Sequence, residues 1–214
     1  MCAGATNNRS YEHHTDPGGT PGERGVFPFL RHTHIFAATV RQSLQLELLR
    51  DATPHPLTLS QFHVLKLMCV NGKHQVGQMA GFLGVSAPAA TKNIDKLERL
   101  GLIARSRSEG DRRTTLLNVS PAGRELVERY ERLETARLEA ALAGFEPEEV
   151  EAFSRLLERF SVSLIKQEPA RDGACLRCSA YIEVGCPVGI ARGGCPYQEL
   201  RGLRRRKGAD GDAS

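Results

Sequence analysis

The segment VSAPAATKNIDKLERLGLIARSRSEGDRRTTLLNVSPAGREL, Val85–Leu126, decides the fold. It opens with Ser86, a residue type that caps helices, and Pro88, which suits a first helical turn. The predicted helix ends at Gly101 and carries one apolar stripe at helical spacing: Ala90, Ile94 and Leu97. These features predict an amphipathic helix with one buried side.

Two short alternating segments follow this helix, Ile103–Ser108 and Thr114–Val119. Residues 109–113 lie between them and form a polar connection with a glycine for the turn. The pattern predicts a β-hairpin with a basic tip. Ser120 and Pro121 then predict the start of another helix.

A helix also precedes the quoted segment, and we expect it to end at Gly84 and to bury Met79, Phe82 and Leu83. The tight corner from Gly84 to Ser86 is typical of a helix-turn-helix unit. Further upstream, Thr58 and Gln61 form a capping-box pair that predicts a helix start. In that helix, the residues expected to face inward are Phe62, Leu65 and Cys69.

Longer amphipathic helices are predicted on both sides of this unit. The first ends before Pro54 and carries a stripe at four-residue spacing: Phe36, Val40, Leu44 and Leu48. The helix that starts at Ser120 is expected to bury Leu126, Tyr130 and Leu133. The last starts at Pro147, with an inward stripe of Val150, Phe153, Leu157, Phe160 and Leu164.

Residues 27–166 resemble the MarR family of winged helix-turn-helix transcriptional regulators, most specifically in the wing segment and the Ser120–Gly123 helix start. The fold class expected is mainly α with a small two- to three-stranded β wing. We expect a disordered arm over residues 1–25, a MarR-type domain over 26–168 and a Cys-rich, basic tail over 169–214. Within the domain, residues 57–119 form the DNA-binding winged head, and 26–52 and 120–168 form dimerisation helices.

The resemblance implies a homodimer that binds double-stranded DNA at a pseudo-palindromic operator, with recognition helices about 34–36 Å apart. On the recognition helix, the predicted DNA-contacting residues are Ser86, Pro88, Ala89, Thr91, Lys92 and Lys96. On the wing they are Arg105, Arg107, Asp111, Arg112 and Arg113, and the resemblance implies that Arg113 enters the minor groove while Asp111 orients it. Pro88 and Ala89 are expected to supply shape; the alternative for the polar residues is capping, surface exposure or a solvated ion pair.

The charge distribution agrees with this arrangement, although the net charge of the 214 residues is only +4. From Ser60 to Thr115 there are nine bases and four acids, a net charge of +5. From Ser120 to Glu168 there are seven bases and eleven acids, a net charge of −4. A basic head beside acidic helices is what phosphate binding by the head requires.

The N-terminus has no export signal and no segment is apolar enough to span a bilayer, so a cytoplasmic protein without membrane contact is expected. In that compartment cysteines act as free thiols or metal ligands. Four of the six cysteines cluster in the tail: Cys175, Cys178, Cys186 and Cys195. The first two form a CxxC pair, which can chelate one ion, and four thiolates complete a tetrahedral site.

The prolines after Cys186 and Cys195 favour an iron–sulfur cluster over zinc at this site. Redox-active free thiols are the alternative to any metal. The basic run near Arg204 is either an additional phosphate-binding arm or a solvated tail.

The sequence leaves two other function classes open. One is a redox or electron-transfer protein that uses the four-cysteine centre, and the other is a winged helix used only for protein contacts. No phosphate loop and no nucleophile–base constellation points to an enzyme. The operator, the regulated genes, the sign of regulation and any small-molecule effector cannot be read from the sequence.

Overall fold

The structure is a computed structural model that describes residues 21–71, 74–83, 85–107 and 115–167. Within these ranges the helices are α1 (Pro21–Arg41), α2 (Leu48–Ala52), α3 (Leu59–Asn71), α4 (Val76–Leu83), α5 (Ala87–Arg99), α6 (Pro121–Leu142) and α7 (Pro147–Gln167). The strands are β1 (His74–Gln75), β2 (Ile103–Arg107) and β3 (Thr115–Val119). The chain divides into two units, one ending at Ser43 and the other beginning at Leu44. The mainly α fold with a small β-sheet is confirmed.

The first unit contains α1, which begins at Pro21 and so includes the last five residues of the predicted arm. Many of its large apolar side chains are exposed: Val26, Phe27, Phe29, Leu30, Ile35 and Phe36. A π-helical segment, Gln42–Glu47, follows α1. The continuous stripe predicted from Phe36 to Leu48 is therefore wrong, because a π-helical turn takes one extra residue and shifts the phase of the helix. Leu48 is buried, whereas Phe36 is 41% exposed.

The core of the second unit lies in the winged head and where α2 and α6 meet it. Its fully buried side chains include Leu48, Val64, Leu65, Leu67, Met68, Met79, Ile94, Leu97 and Leu117. Ala90 is also buried, so the predicted stripe of α5 is confirmed. The predicted capping box is confirmed as well: Thr58 Oγ1 accepts from the Gln61 amide at 3.3 Å, and Gln61 Oε1 accepts from the Thr58 amide at 3.1 Å.

The wing strands pair in an antiparallel sheet of order β1-β3-β2. The register places Ile103 opposite Val119 and Arg105 opposite Leu117, while β1 adds His74 on the other side of Leu117. Residues directly opposite one another share a face of the sheet. Because Leu117 is fully buried, the face that carries it is the core-facing side of the hairpin.

The end of α5 and the start of α6 fix the base of the wing. Gly101 has φ +70°, which a glycine adopts without strain, and its amide donates to Glu98 O at 2.8 Å. Ser120 caps α6 by accepting from the Gly123 amide at 3.0 Å, and its hydroxyl donates to Gly101 O at 2.7 Å. A Cβ on Gly123 would lie 2.2 Å from Leu102 O, so the first turn of α6 packs directly on the backbone that leads into β2.

The last two helices differ from the prediction in what they bury. Leu126 and Tyr130 of α6 are buried and Leu133 packs against the core, as expected. In α7, by contrast, only Ile165 is buried, while Phe153 is 49% and Leu164 is 48% exposed. The predicted α7 stripe is therefore not part of the core cluster of the described residues, which includes no residue of α7.

Candidate nucleic-acid interface

The α5 helix docks on the core by one side and presents the opposite side outward. With Ala90, Ile94 and Leu97 buried, the helical period places three residues on the far side, which we call the outer face of α5: Pro88, Lys92 and Arg99. Lys92 and Arg99 are exposed and lie seven residues apart, so both cations occupy the same side of the helix. Arg99 was not among the predicted contacts, although its spacing from Lys92 could have identified it.

The predicted contacts at the start of α5 have these environments. Ser86 is the N-cap residue, but its side chain makes no capping hydrogen bond, so the predicted side-chain cap is wrong. Its exposed hydroxyl stays available to another group. Pro88 is exposed in the first turn and Ala89 is half-buried. Thr91 Oγ1 donates to Ala87 O at 3.0 Å, a bond that leaves the oxygen lone pairs as acceptors.

Two polar contacts hold α5 to the segment around the start of α3. Gln61 Nε2 donates to Asn93 Oδ1 at 3.1 Å, and Asn93 Nδ2 donates to Ala89 O at 3.1 Å. Lys96 Nζ donates to Pro56 O. The sequence predicted Lys96 as a DNA contact, but in the structure its ammonium is directed at this backbone carbonyl. The sequence did not predict that Gln61 and Asn93 hold α5 in place, because a contact between residues 32 positions apart in the chain leaves no local sequence pattern.

The wing strand β2 carries the two predicted arginines on the same face, two residues apart. Arg105 binds two carboxylates of α5, with Nη2 to Asp95 Oδ1 and Nη1 to Glu98 Oε2, both at 2.5 Å. The sequence predicted a phosphate contact for Arg105, whereas the structure directs its guanidinium at α5. Arg107 is exposed and forms no salt bridge with another residue in the described ranges, so its role as a phosphate contact stays a prediction.

The remaining predicted site residues lie outside the described residues. These are Asp111, Arg112 and Arg113 at the wing tip and the tail cysteines Cys175, Cys178, Cys186 and Cys195. In the described part of the interface, Lys92 and Arg99 lie on the outer face of α5. The ion-pair network of Asp95, Glu98 and Arg105 lies beside that face.

Behind the interface, a buried lysine joins the head to α6. Lys66 of α3 is 5% exposed, and its Nζ lies 3.3 Å from Glu131 Oε1 and 3.9 Å from Glu134 Oε2. The same Nζ lies 5.9 Å from the centroid of the Tyr130 ring, whose hydroxyl donates to Leu44 O at 2.6 Å. Burial raises the pKa of Tyr130 and, to a smaller extent, so does Glu134. The tyrosine therefore stays a hydrogen-bond donor at every physiological pH.

Cys69 of α3, which the sequence predicted to face inward, packs against the core and is half-buried. Burial raises the pKa of its thiol; Arg124 opposes that effect, while Glu131 and Glu128 add to it. Because the thiolate is the reactive form, this environment suppresses reactivity at neutral pH.

The winged head and its flanking helices are similar to known proteins. The model of the MarR family matches residues 57–115. An uncharacterized HTH-type transcriptional regulator of Bacillus subtilis (strain 168), YwoH, is 33% identical over 110 residues, which cover 50% of this chain and 77% of YwoH. The chain belongs to the MarR family. A second such regulator of the same strain, YkoM, is 26% identical over 128 residues, 60% of this chain and 82% of YkoM.

Solved structures agree with this assignment. A MarR family protein from Bacillus stearothermophilus superimposes with a TM-score of 0.56 at 25% identity, over 66% of this chain and 96% of that protein. Streptococcus pneumoniae FabT, solved in complex with DNA, gives a TM-score of 0.56 at 22% identity, over 65% of this chain and 99% of FabT. The latter likeness supports the fold alone. The chain is therefore a MarR-family transcriptional regulator, and the predicted family is confirmed.

No helix in the described ranges combines the length and the apolar content that crossing a bilayer requires.

Proposed function

We propose that this MarR-family regulator acts as a homodimer that binds a pseudo-palindromic DNA operator through α5 and the wing. The observation that carries the proposal is the outer face of α5, which exposes Lys92 and Arg99 opposite the side buried in the core. A helix held in this way can enter a major groove without disturbing the core. Ser86 and Thr91, near its N-terminal end, supply hydroxyl groups for base edges or phosphates.

The electrostatics of the head support the same function. Lys92 and Arg99 are exposed cations on one side of α5, and Arg107 extends the positive charge along the wing. When a cation contacts a DNA phosphate it releases a condensed counterion, so affinity falls as salt rises. A winged helix used only for protein contacts has no such requirement.

The experiment is fluorescence anisotropy of labelled duplex DNA over a salt series. We expect the logarithm of the association constant to fall linearly with the logarithm of salt concentration. Lys92→Gln should reduce the magnitude of this slope by about 0.9, the value for one lost phosphate contact. Lys166→Gln is the matched control, because Lys166 is an exposed lysine in the last turn of α7. Binding without salt dependence would favour the protein-contact alternative.

The homodimer is proposed from the apolar surface of α7. Leu156 is 58% and Leu164 is 48% exposed, and the helical period puts both on the side that carries Phe153. Phe145, in the turn before α7, is 58% exposed as well. Contiguous apolar surface of this kind marks an interaction site, and a second copy of the chain brings the same surface to it by two-fold symmetry.

Light scattering and sedimentation test this part of the proposal. We expect a dimer for the unaltered chain and a monomer–dimer mixture for Leu156→Glu with Leu164→Glu. Arg155→Ala is the control, because Arg155 is 65% exposed on the opposite side of α7 and its loss changes the charge by one unit, as one Leu→Glu change does. A monomeric unaltered chain would reject the homodimer and leave DNA binding to be judged by the salt series.

A metal-responsive role is proposed for the tail cysteines, from their spacing in the sequence alone. An iron–sulfur cluster held by Cys175, Cys178, Cys186 and Cys195 would give a brown protein whose visible absorption bleaches in air, while zinc would leave it colourless. The test is an absorption spectrum and metal assay of anaerobically purified protein and of its quadruple Cys→Ser variant. Equal metal content in both proteins, with operator affinity that is the same under oxidising and reducing conditions, would reject the site and its role.

A further inference from the structure

We propose that Arg105 is a positioning residue that fixes the wing against the recognition helix α5, and that it is not a phosphate contact. The consequences of this inference for DNA recognition rest on the proposed DNA-binding function. The contact on which it depends, between β2 and α5, belongs to the free protein. It joins the two elements that must reach the duplex at the same time.

The geometry of the contact is specific to an arginine. Asp95 and Glu98 lie three residues apart on α5, so both carboxylates project from the same side of the helix. The two terminal nitrogens of Arg105 each bind one of them, which a planar guanidinium can do and a single ammonium group cannot. The side chain of Arg105 is 32% exposed, and those of Asp95 and Glu98 are 45% and 36% exposed. The three charges therefore form a network at the edge of the interface.

The position of Arg105 in the hairpin explains why this contact matters. The base of the wing is fixed by Gly101, Leu102 and Ser120, since the Ser120 amide donates to Leu102 O at 3.0 Å. Beyond that base, Arg105 lies on the core-facing side of the sheet, opposite the buried Leu117. Within the described ranges, its ion pairs are the outermost hydrogen-bonded contact between β2 and α5. They set the angle at which the wing leaves the head.

The same contact also offsets one of the two negative charges that Asp95 and Glu98 place on α5. Without Arg105, Asp95 and Glu98 would present two negative charges on α5 beside the phosphate backbone. An arginine committed to these carboxylates releases no counterion when DNA binds. A phosphate contact and a positioning contact thus make opposite predictions for substitutions of the acids.

The experiment compares operator binding by Arg105→Gln, Arg105→Lys and the double variant Asp95→Asn/Glu98→Gln, together with the triple variant Arg105→Gln/Asp95→Asn/Glu98→Gln. If Arg105 positions the wing, each of the first three should weaken binding about tenfold, and the triple variant should be no weaker than either parent, because the residues act as one unit. The salt slope of Arg105→Gln should equal that of the unaltered chain. The Asp95→Asn/Glu98→Gln result is decisive, since loss of negative charge alone should tighten DNA binding.

The phosphate-contact alternative gives a different set of results. Arg105→Lys would then bind nearly as well as the unaltered chain, Arg105→Gln would lower the salt slope by about 0.9, and Asp95→Asn/Glu98→Gln would tighten binding. Any of these three outcomes overturns the proposal. Lys92→Gln, measured alongside, reports whether the head binds phosphates at all, so failure of the proposed function is recognised separately.

A measurement without DNA tests the positioning role directly. Amide hydrogen exchange at Ser106 and Leu116, which pair across the wing, should accelerate about tenfold in Arg105→Gln and in Asp95→Asn/Glu98→Gln. Leu65 and Leu67 in the core of α3 should keep their protection, which shows that both variants fold. Unchanged exchange in the wing would overturn the proposal even if DNA binding were lost.

Discussion

The winged head and α7 use their apolar residues in opposite ways. In the head, α5 buries every residue of its stripe, and strand β3 buries Leu117 beneath it. In α7 the stripe contains Leu164, which stays about half exposed, and Ile165 is the only residue buried. The difference teaches that the head buries its apolar stripe within its own chain, while α7 leaves apolar surface exposed, and this is the surface from which the homodimer is proposed. The two regions also differ in charge: residues 60–115 carry a net charge of +5, and residues 120–168, which include α7, carry −4.

The largest expected effect comes from removing a buried side chain of the winged head. Leu97→Ala should lower the free energy of unfolding by about 3 to 4 kcal/mol, because it leaves a cavity in a closely packed core. Leu156→Ala removes a side chain of the same size from α7. It should leave the stability of the head unchanged and weaken the dimer. The free energy of unfolding should then depend less on protein concentration than it does in the unaltered chain.

Urea denaturation at several protein concentrations measures both variants. If Leu97→Ala and Leu156→Ala lowered the free energy of unfolding equally, and if that free energy did not depend on protein concentration, α7 would be packed like the head. The exposed surface of α7 would then need no second copy of the chain.

The next prediction concerns the junction between the head and α6. Gly123→Ala should destabilise the protein by about 2 to 3 kcal/mol, because the new Cβ would meet Leu102 O at 2.2 Å and this backbone cannot move without displacing β2. Gly81→Ala is the control, since a Cβ at Gly81 of α4 meets nothing within 4 Å. It should be neutral or stabilising by up to about 1 kcal/mol. Thermal denaturation of both variants checks the pair, and equal melting temperatures would contradict the close contact.

A smaller effect distinguishes the two serine N-caps on either side of the wing. Ser120→Ala should cost about 1 kcal/mol, because it removes the hydrogen bond from the Gly123 amide that caps α6. Ser86→Ala should cost almost nothing in stability, since the Ser86 side chain caps no amide of α5. Its effect is expected in DNA affinity. Chemical denaturation and anisotropy on the same two variants check this, and a stability loss at Ser86 would contradict it.

These comparisons show which features the sequence predicts. Features set by neighbours along the chain were predictable: the Thr58–Gln61 capping box, the stripe of α5 and the paired wing strands all depend on residue type and period. Ser120 was recognised for the same reason. The side-chain cap of Ser86 failed although its residue type is equally suitable, because the hydroxyl also needs the right rotamer.

Features set by the angles between elements were not predictable. The partner of Arg105 depends on how far the wing leans toward α5, and a sequence pattern gives only the face of the strand. The exposure of Leu164 depends on whether another chain covers it, and amphipathicity is the same in either case. The phase shift before Leu48 arises from a single π-helical segment, for which the residue pattern gave no sign.

The smallest expected effect lies at the buried lysine that joins the head to α6. Burial raises the pKa of the Glu134 carboxyl; the attraction of Lys66 at 3.9 Å opposes the shift but does not cancel it, and Glu131 adds to it. The folded state therefore holds the proton more tightly than the unfolded state. By linkage, the free energy of unfolding falls as pH rises through the usual pKa of a glutamate toward the raised one.

Glu134→Gln removes this titration, so its stability relative to the unaltered chain should grow as pH rises from the usual pKa of a glutamate, about 4.3, through the raised pKa of the folded state, and then stay constant. The gain should be under about 1 kcal/mol, because the Glu134 side chain is still 26% exposed and Lys66 keeps its closer partner Glu131 at 3.3 Å. Urea denaturation across that pH range measures it, with Glu139→Gln as the control at an exposed glutamate of the same helix. A relative stability that falls with pH would mean that the attraction to Lys66 outweighs burial, and the contact between α3 and α6 would then strengthen on ionisation.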